Sequence, residues 1–180
     1  MNFVRTAAIV MGTLFGLFIL VGLLLPGQMQ VERSVEISTA PEAIFPLVDD
    51  LRAFNRWSPW AKDTSNTRYS FEGPEAGVGA RMTWSSDDPE VGAGSQEIIR
   101  SRQPEQVVFL LDFGPQGSAD ARFDLEPLDS GPTRVTWSFG YQIGNDLIGR
   151  YMGLLMKGLV GDKYEEGLDR LKRLAETGAV

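Results

Sequence analysis

The chain has 180 residues, with 17 basic and 24 acidic side chains, a formal net charge of −7, and neither cysteine nor histidine. The missing residue types exclude disulfides, Ser-His-Asp and Cys-His catalytic groups, and zinc sites built on Cys or His. The negative charge counts against nucleic acid as a partner. We therefore expect no metal, no cofactor and no nucleic acid.

The first 27 residues differ sharply from the rest in composition. Residues 6 to 27 carry no charged side chain, and the roughly 20 residues from Thr6 to Leu25 would span about 30 Å as a helix, the thickness of a hydrocarbon core. A cleaved signal peptide would have a shorter apolar region, about 7 to 15 residues long, before a small-residue cleavage site. We expect an uncleaved membrane anchor over residues 1–27, crossing the membrane with residues 6–25, and one domain over residues 28–180.

The charges beside the apolar segment indicate its orientation. Arg5 precedes the segment, whereas the nearest following positive charge, Arg33, stands next to Glu32. The positive-inside rule then places the N-terminus in the cytoplasm. The domain is expected to be periplasmic or extracellular.

The domain begins with a strand and a helical region. From Val31 to Ile37 apolar and polar residues alternate with the period of two typical of a strand with one buried face. Apolar residues then recur at helical spacing up to Phe54. Because Pro46 falls one turn into this pattern, we predict a short or interrupted helix pair.

Six more strands are predicted before the chain becomes helical again. Short separators rich in Gly, Pro and Asp indicate consecutive antiparallel hairpins. The strands cover residues 67–73, 80–86, 94–102, 106–113, 118–128 and 133–143.

The C-terminal segment is predicted to be helical in two parts. Residues 146–161 are apolar nearly all round, and residues 162–176 are amphipathic. Asp162 followed by Glu165 fits a capping box, so a new helix is expected just after Gly161.

This order of elements resembles the START-like superfamily, and within it the polyketide cyclase/dehydrase-type group called SRPBCC. The stretches that carry the resemblance are "VERSVEISTAPEAIFPLVDDLRAFNRWSPW", "YSFEGPEAGVGARMTW", "VGAGSQEIIRSRQPEQVVFLLDF" and "YMGLLMKGLVGDKYEEGLDRLKRL". The resemblance implies an α+β helix-grip fold, in which a curved antiparallel sheet of about seven strands wraps around a long C-terminal helix. It also implies a cavity between sheet and helix that holds a hydrophobic small molecule or lipid.

Aromatic and methionine side chains are the candidates for the wall of that cavity. Period-two spacing directs one set of strand residues toward the last helix, where the same side chains are also suited to filling a core. The candidate ligand-binding residues are Trp60, Trp84, Phe109, Phe123, Trp137, Tyr141, Met152 and Met156, and Leu111 and Phe139 share the inward face. Of the two tryptophans flanking Ser58 and Pro59, we expect Trp57 to pack in the core and Trp60 to touch a ligand.

Residues 147–160 form the expected mobile wall of the cavity. Methionines adapt to irregular shapes, and glycines at 149, 153, 158, 161 and 167 either loosen the helix or let it pack closely. The same apolar piece can instead rest on the membrane beside the anchor. All three interpretations stay open from the sequence.

Catalysis would have to use Asp, Glu, Tyr, Lys, Arg, Ser or Thr. Glu97 and Tyr141 are the catalytic candidates, with Arg81, Arg100 and Asp112 as further polar residues on the strands. The alternation places Glu97 on the strand face opposite Ile98 and Arg100. Three functions follow: a membrane-anchored binding domain for a hydrophobic small molecule or lipid, a cofactor-free cyclase- or dehydratase-like enzyme, and a module whose groove receives a protein.

Overall fold

The computed structural model describes residues 2–61, 66–88, 91–129 and 131–178. An N-terminal helix precedes a strand, a helix pair, six further strands and a long last helix. In chain order the elements are α1 (Asn2–Leu24), β1 (Gln28–Ile37), α2 (Pro41–Asp49), α3 (Leu51–Trp57), β2 (Thr67–Glu72), β3 (Arg81–Ser86), β4 (Ala93–Arg102), β5 (Gln106–Asp112), a 3₁₀ turn (Gly114–Gln116), β6 (Ser118–Pro127), β7 (Thr133–Gln142) and α4 (Leu147–Thr177).

The seven strands form one antiparallel sheet that packs against α4. The strand order is β1-β7-β6-β5-β4-β3-β2, so each hairpin partner lies beside its neighbour in sequence and β1 closes against β7. The C-terminal half of α4 buries Tyr164, Leu168, Leu171 and Leu174 against the sheet. The predicted helix-grip fold, with one apolar N-terminal helix, is confirmed.

The helix pair is interrupted at Asp50 and not at Pro46. Pro46 lies inside α2, whereas Asp50 has extended backbone angles (φ −102°, ψ 119°). Its carboxylate accepts hydrogen bonds from the backbone N–H groups of Arg52 (2.7 Å) and Ala53 (3.4 Å). Asp50 therefore caps α3 and turns the chain by satisfying two N–H groups that the new helix leaves free.

Helix α4 is continuous, so the predicted division after Gly161 is wrong. The helix begins at the cap Asp146, whose carboxylate accepts from the Ile148 N–H, and ends before Gly178 at φ 75°. Glu165 forms an ion pair with Arg33 of β1 and caps nothing. Gly161 faces the same guanidinium, which a Cβ at that position would meet. The glycine permits close packing of helix on sheet and does not end the helix.

Candidate functional site: an apolar cavity between sheet and C-terminal helix

The strand register arranges inward-facing side chains in rows that run across the sheet. Phe123 stands opposite Trp137, and the next row toward the N-terminal end of α4 aligns Phe109, Ala121 and Phe139. The row after that contains Gln96, Leu111, Ala119 and Tyr141. Because side chains alternate between faces, every second residue of these strands lies beneath α4.

A cavity of about 510 Å³ separates these rows from the N-terminal half of α4. This volume falls within the range of about 300–1,000 Å³ typical of small-molecule pockets. All eight side chains predicted to contact a ligand line it, namely Trp60, Trp84, Phe109, Phe123, Trp137, Tyr141, Met152 and Met156. The sequence pattern therefore locates the wall of the cavity, and ligand contact by these residues stays a prediction.

The cavity has a closed end and a mouth. Phe109, Phe123 and Trp137 line the closed end and are buried. Toward the start of α4 the lining residues are solvent-exposed: Gln116, Asp146, Met152 and Met156. A ligand would enter between the 3₁₀ turn and the first turns of α4.

Several residues that line the cavity were not among the eight predicted from the sequence. Phe54 comes from α3, Met82 and Gln96 from β3 and β4, and Ile143, Val160 and Tyr164 from the last part of the chain. Met82 is two residues from Trp84, so its period-two spacing marks the same face. Gln96 is 6% exposed; it stands two residues before Ile98, so period two places it on the inward face, but its polar amide is not the residue type expected there.

The lining is almost without charge. Among the described lining residues, Asp146 at the mouth is the one charged side chain, and its carboxylate already caps α4. Burial raises the pKa of the Tyr69 and Tyr164 phenols, which keeps both neutral. The Tyr141 hydroxyl donates to the Gln116 carbonyl oxygen, which ties β7 to the 3₁₀ turn at the mouth.

Glu97 lies outside the cavity, on the outer face of β4. Its carboxylate is 3.5 Å from the Arg81 guanidinium, and both side chains are about two-fifths exposed. A β-bulge between Ile98 and Arg100 moves Arg100 onto the face of Glu97, contrary to the regular alternation assumed from sequence. Glu97 therefore cannot act as an acid or base on a molecule held inside the cavity.

The other polar candidates, Arg81, Arg100 and Asp112, also lie outside the cavity. Asp112 accepts a hydrogen bond from the Gly114 N–H at 2.8 Å and so shapes the 3₁₀ turn. Within the described part of the chain, no group of three or more acidic side chains is placed to hold a metal ion.

Trp57 and Trp60 occupy different environments. Trp57 is fully buried, its indole N–H donates to the Leu47 carbonyl oxygen at 2.8 Å, and it does not line the cavity. Trp60 lines the cavity and packs edge-on against Trp137 and Tyr164, with ring centroids 5.9 and 6.0 Å away. The structure thus places Trp57 in the core, as expected, and Trp60 in the cavity wall, where its contact with a ligand stays a prediction.

The glycines of α4 serve mainly close packing. A Cβ at Gly149 or Gly153 would lie within 3.0 Å of the Ile143 side chain, and one at Gly167 would meet Trp137 and Pro59. No atom of the described residues lies within 4 Å of a Cβ added at Gly158. Close approach therefore explains these glycines except Gly158.

Helix α1 is joined to the mouth of the cavity. Residues Phe3–Leu24 are long and apolar enough to cross a membrane, a property that a signal sequence shares. Beyond the helix, the Gly27 carbonyl oxygen accepts from the N–H groups of Ile143 (3.0 Å) and Gly144 (2.8 Å). The exit of α1, the end of β7 and the start of α4 are therefore fixed together.

A curved antiparallel sheet closed by a long C-terminal helix over an apolar cavity defines the START-like class of helix-grip proteins. A family model described as "Polyketide cyclase / dehydrase and lipid transport" matches residues 28–176, and the chain belongs to this family. No curated protein matches the chain.

Several solved structures share the fold at low sequence identity. A START superfamily protein from Mycobacterium smegmatis superposes with a TM-score of 0.61 at 16% identity, over 84% of this chain and 99% of that chain. A protein of unknown function from Staphylococcus aureus gives 0.65 at 9% identity, over 84% and 95%. The Aha1 dimer from Colwellia psychrerythraea gives 0.58 at 16% identity, over 83% and 97%. These likenesses concern the fold alone.

Proposed function

We propose that this protein is a membrane-tethered domain that binds a hydrophobic small molecule or lipid in the cavity beneath α4. The observation that carries the proposal is the cavity itself, about 510 Å³ in volume and lined by aromatic, aliphatic and methionine side chains. Transfer of an apolar molecule from water to such a wall is favourable by about 25 cal/mol for each Å² buried. The family description, which includes lipid transport, supports the same class of ligand.

The tether is α1, retained in the mature protein as residues 1–27, with the binding domain over residues 28–180. Its length and apolar composition support a span. Arg5, on the N-terminal side, supports a cytoplasmic N-terminus and a periplasmic or extracellular domain. The tether would keep the binding domain next to the membrane, the phase in which hydrophobic ligands dissolve.

Binding without catalysis is preferred over a cyclase- or dehydratase-like reaction. Proton transfer needs an acid or base within hydrogen-bonding reach of the enclosed substrate. Among the described lining residues the one carboxylate, Asp146, stands at the mouth as a helix cap. The Tyr141 hydroxyl is engaged with Gln116.

Native mass spectrometry of the full chain, released from detergent micelles, tests the proposal. We expect an adduct whose mass and lipid extract identify a hydrophobic molecule, and its loss in Met156→Glu. Met156 lines the mouth, and a carboxylate there would be desolvated by the ligand at a cost of several kcal/mol, on the order given for buried charges. Leu154→Glu adds the same charge to the same helix, at a residue that is 53% exposed and outside the lining, and should keep the adduct.

The same mass spectrum tests both the retained tether and the binding of a hydrophobic molecule. A chain mass of 19.8 kDa shows an intact N-terminus, whereas loss of about 27 residues' mass would show a removed signal sequence and overturn the tether. A wild-type protein without any adduct, even after incubation with lipid extract, would overturn binding. An adduct that survives in Met156→Glu but changes chemically over time would favour the enzyme.

A further inference from the structure

An apolar stripe on the N-terminal half of α4 is left largely uncovered by the described residues of the chain. Ile148, Met152, Leu155 and Leu159 recur at intervals of four, three and four residues, which places them on one face of the helix. They are 68%, 49%, 66% and 61% exposed. Amphipathic helices of globular domains turn such a face toward the core, and exposed apolar patches mark a binding surface. We call these four residues the α4 stripe.

The α4 stripe is continuous with the contact between α4 and the anchor. The Tyr151 ring stacks on Phe18 of α1 with centroids 4.5 Å apart, and its hydroxyl donates to the Phe18 carbonyl oxygen at 2.6 Å. The Arg150 guanidinium donates to the carbonyl oxygens of Leu23 (3.0 Å) and Gly22 (3.3 Å) near the end of α1. Helix α4 therefore begins directly against the last two turns of α1.

These contacts set the depth of the first turns of α4 if α1 crosses the membrane. Phe18 is six residues before Leu24, which is about 9 Å along a helix axis. Tyr151 therefore reaches about 9 Å below the end of the apolar helix, and interfacial helices bury their apolar face to about 5–10 Å.

The charges around the α4 stripe favour a neutral lipid surface. Lys157 projects from another side of the helix and lines a polar groove on the sheet, and Arg150 is engaged with carbonyl oxygens. Residues 28–180 have a net charge of −8, because Arg5 is the one charged residue before them. Attraction to anionic lipid is therefore weak, and burial of the apolar side chains supplies the affinity.

We propose that the α4 stripe inserts into the bilayer leaflet at the C-terminal end of α1, so that the mouth of the cavity faces lipid. Met152 belongs both to the stripe and to the wall of the cavity. A ligand then passes between bilayer and cavity at this residue without crossing water. The inference rests on the tether of the proposed function, and it names the bilayer as the source of the ligand.

Site-directed fluorescence in nanodiscs tests the docking, since the chain has no native cysteine. Leu155→Cys in the full chain is labelled with the dye NBD and placed in phosphatidylcholine nanodiscs containing doxyl-labelled phosphatidylcholine. We expect blue-shifted emission and strong quenching by the doxyl lipid, equal at low and high salt. The control is Asp129→Cys, an exposed position after β6. It lies near the end of β1 remote from α1, about 30 Å away along that strand, and its label should stay unquenched.

A third label separates failure of the docking from failure of the tether. Leu14→Cys lies in the middle of α1 and is quenched if α1 crosses the bilayer. Quenching at Leu14 without quenching at Leu155 overturns the docking and leaves the tether and ligand binding intact. Absence of quenching at both overturns the tether and the docking together. Disulfide-linked dimers of unlabelled Leu155→Cys without lipid quenching would show that a second copy covers the stripe, which also overturns the proposal.

Discussion

Replacing Trp57 with alanine is expected to lower the free energy of unfolding by about 3–5 kcal/mol, the range for removing a large buried aromatic side chain. Trp57 is fully buried, and its ring contacts Phe54, Trp137 and Phe123 with centroids 4.8, 5.5 and 5.7 Å apart. Truncation would leave a void among rigid rings and deprive the Leu47 carbonyl oxygen of its hydrogen bond. Thermal unfolding of the full chain in detergent micelles, followed by near-UV circular dichroism, measures the loss.

Two further variants serve as comparisons for the stability loss in Trp57→Ala. Trp57→Phe keeps an aromatic ring but loses the indole N–H, and should cost less than the alanine variant. Trp60→Ala removes the same side chain type from the cavity wall, where it is partly exposed, and should cost less stability while weakening ligand binding. Equal destabilisation by Trp57→Ala and Trp60→Ala would contradict the assignment of Trp57 to the core.

The strands and the cavity wall were accessible from the sequence because both depend on local pattern. Alternation of apolar and polar residues predicted β6 and β7, and the same alternation placed Phe123 and Trp137 on the inner face. Register then aligns these residues across strands without further information. Phe109 and Tyr141 lie in the wall for the same reason.

Two features were not accessible because they depend on contacts between distant residues. Asp162 and Glu165 have the spacing of a capping box, but Glu165 binds Arg33, 132 positions away, and α4 runs on. The β-bulge after Ile98 could not be predicted from the sequence either, because β4 has no glycine or proline at that position. It moved Arg100 to the outer face beside Glu97.

The contact between α1 and α4 could not be predicted from the sequence either. The sequence shows an apolar segment at each end of the chain, whereas the stacking of Phe18 on Tyr151 brings the two together. Of the three interpretations of residues 147–160, close packing is borne out at Gly149, Gly153 and Gly161, where a Cβ would meet neighbouring side chains. A mobile wall and contact with the membrane stay predictions.

Replacing Gly167 with alanine is expected to destabilise the domain, whereas Gly158→Ala should stabilise it. A Cβ at Gly167 would lie 2.9 Å from the Trp137 ring and 3.0 Å from Cδ of Pro59. Trp137 cannot move aside, because its ring stacks on Tyr164 at 3.7 Å and on Phe123 at 4.9 Å. Overpacking of this kind costs about 1–3 kcal/mol, which outweighs a gain in helix propensity of at most about 1 kcal/mol.

Gly158 provides the matched control on the same helix. Because no atom in the described part of the chain lies within 4 Å of a Cβ there, Gly158→Ala keeps only the propensity gain and should raise the free energy of unfolding by about 0.5–1 kcal/mol. The two variants then shift the thermal midpoint in opposite directions, by roughly 2–4 °C for each kcal/mol in a domain of this size. A stabilising Gly167→Ala would show that α4 does not press against Trp137, and that the closed end of the cavity is looser than the ring contacts require.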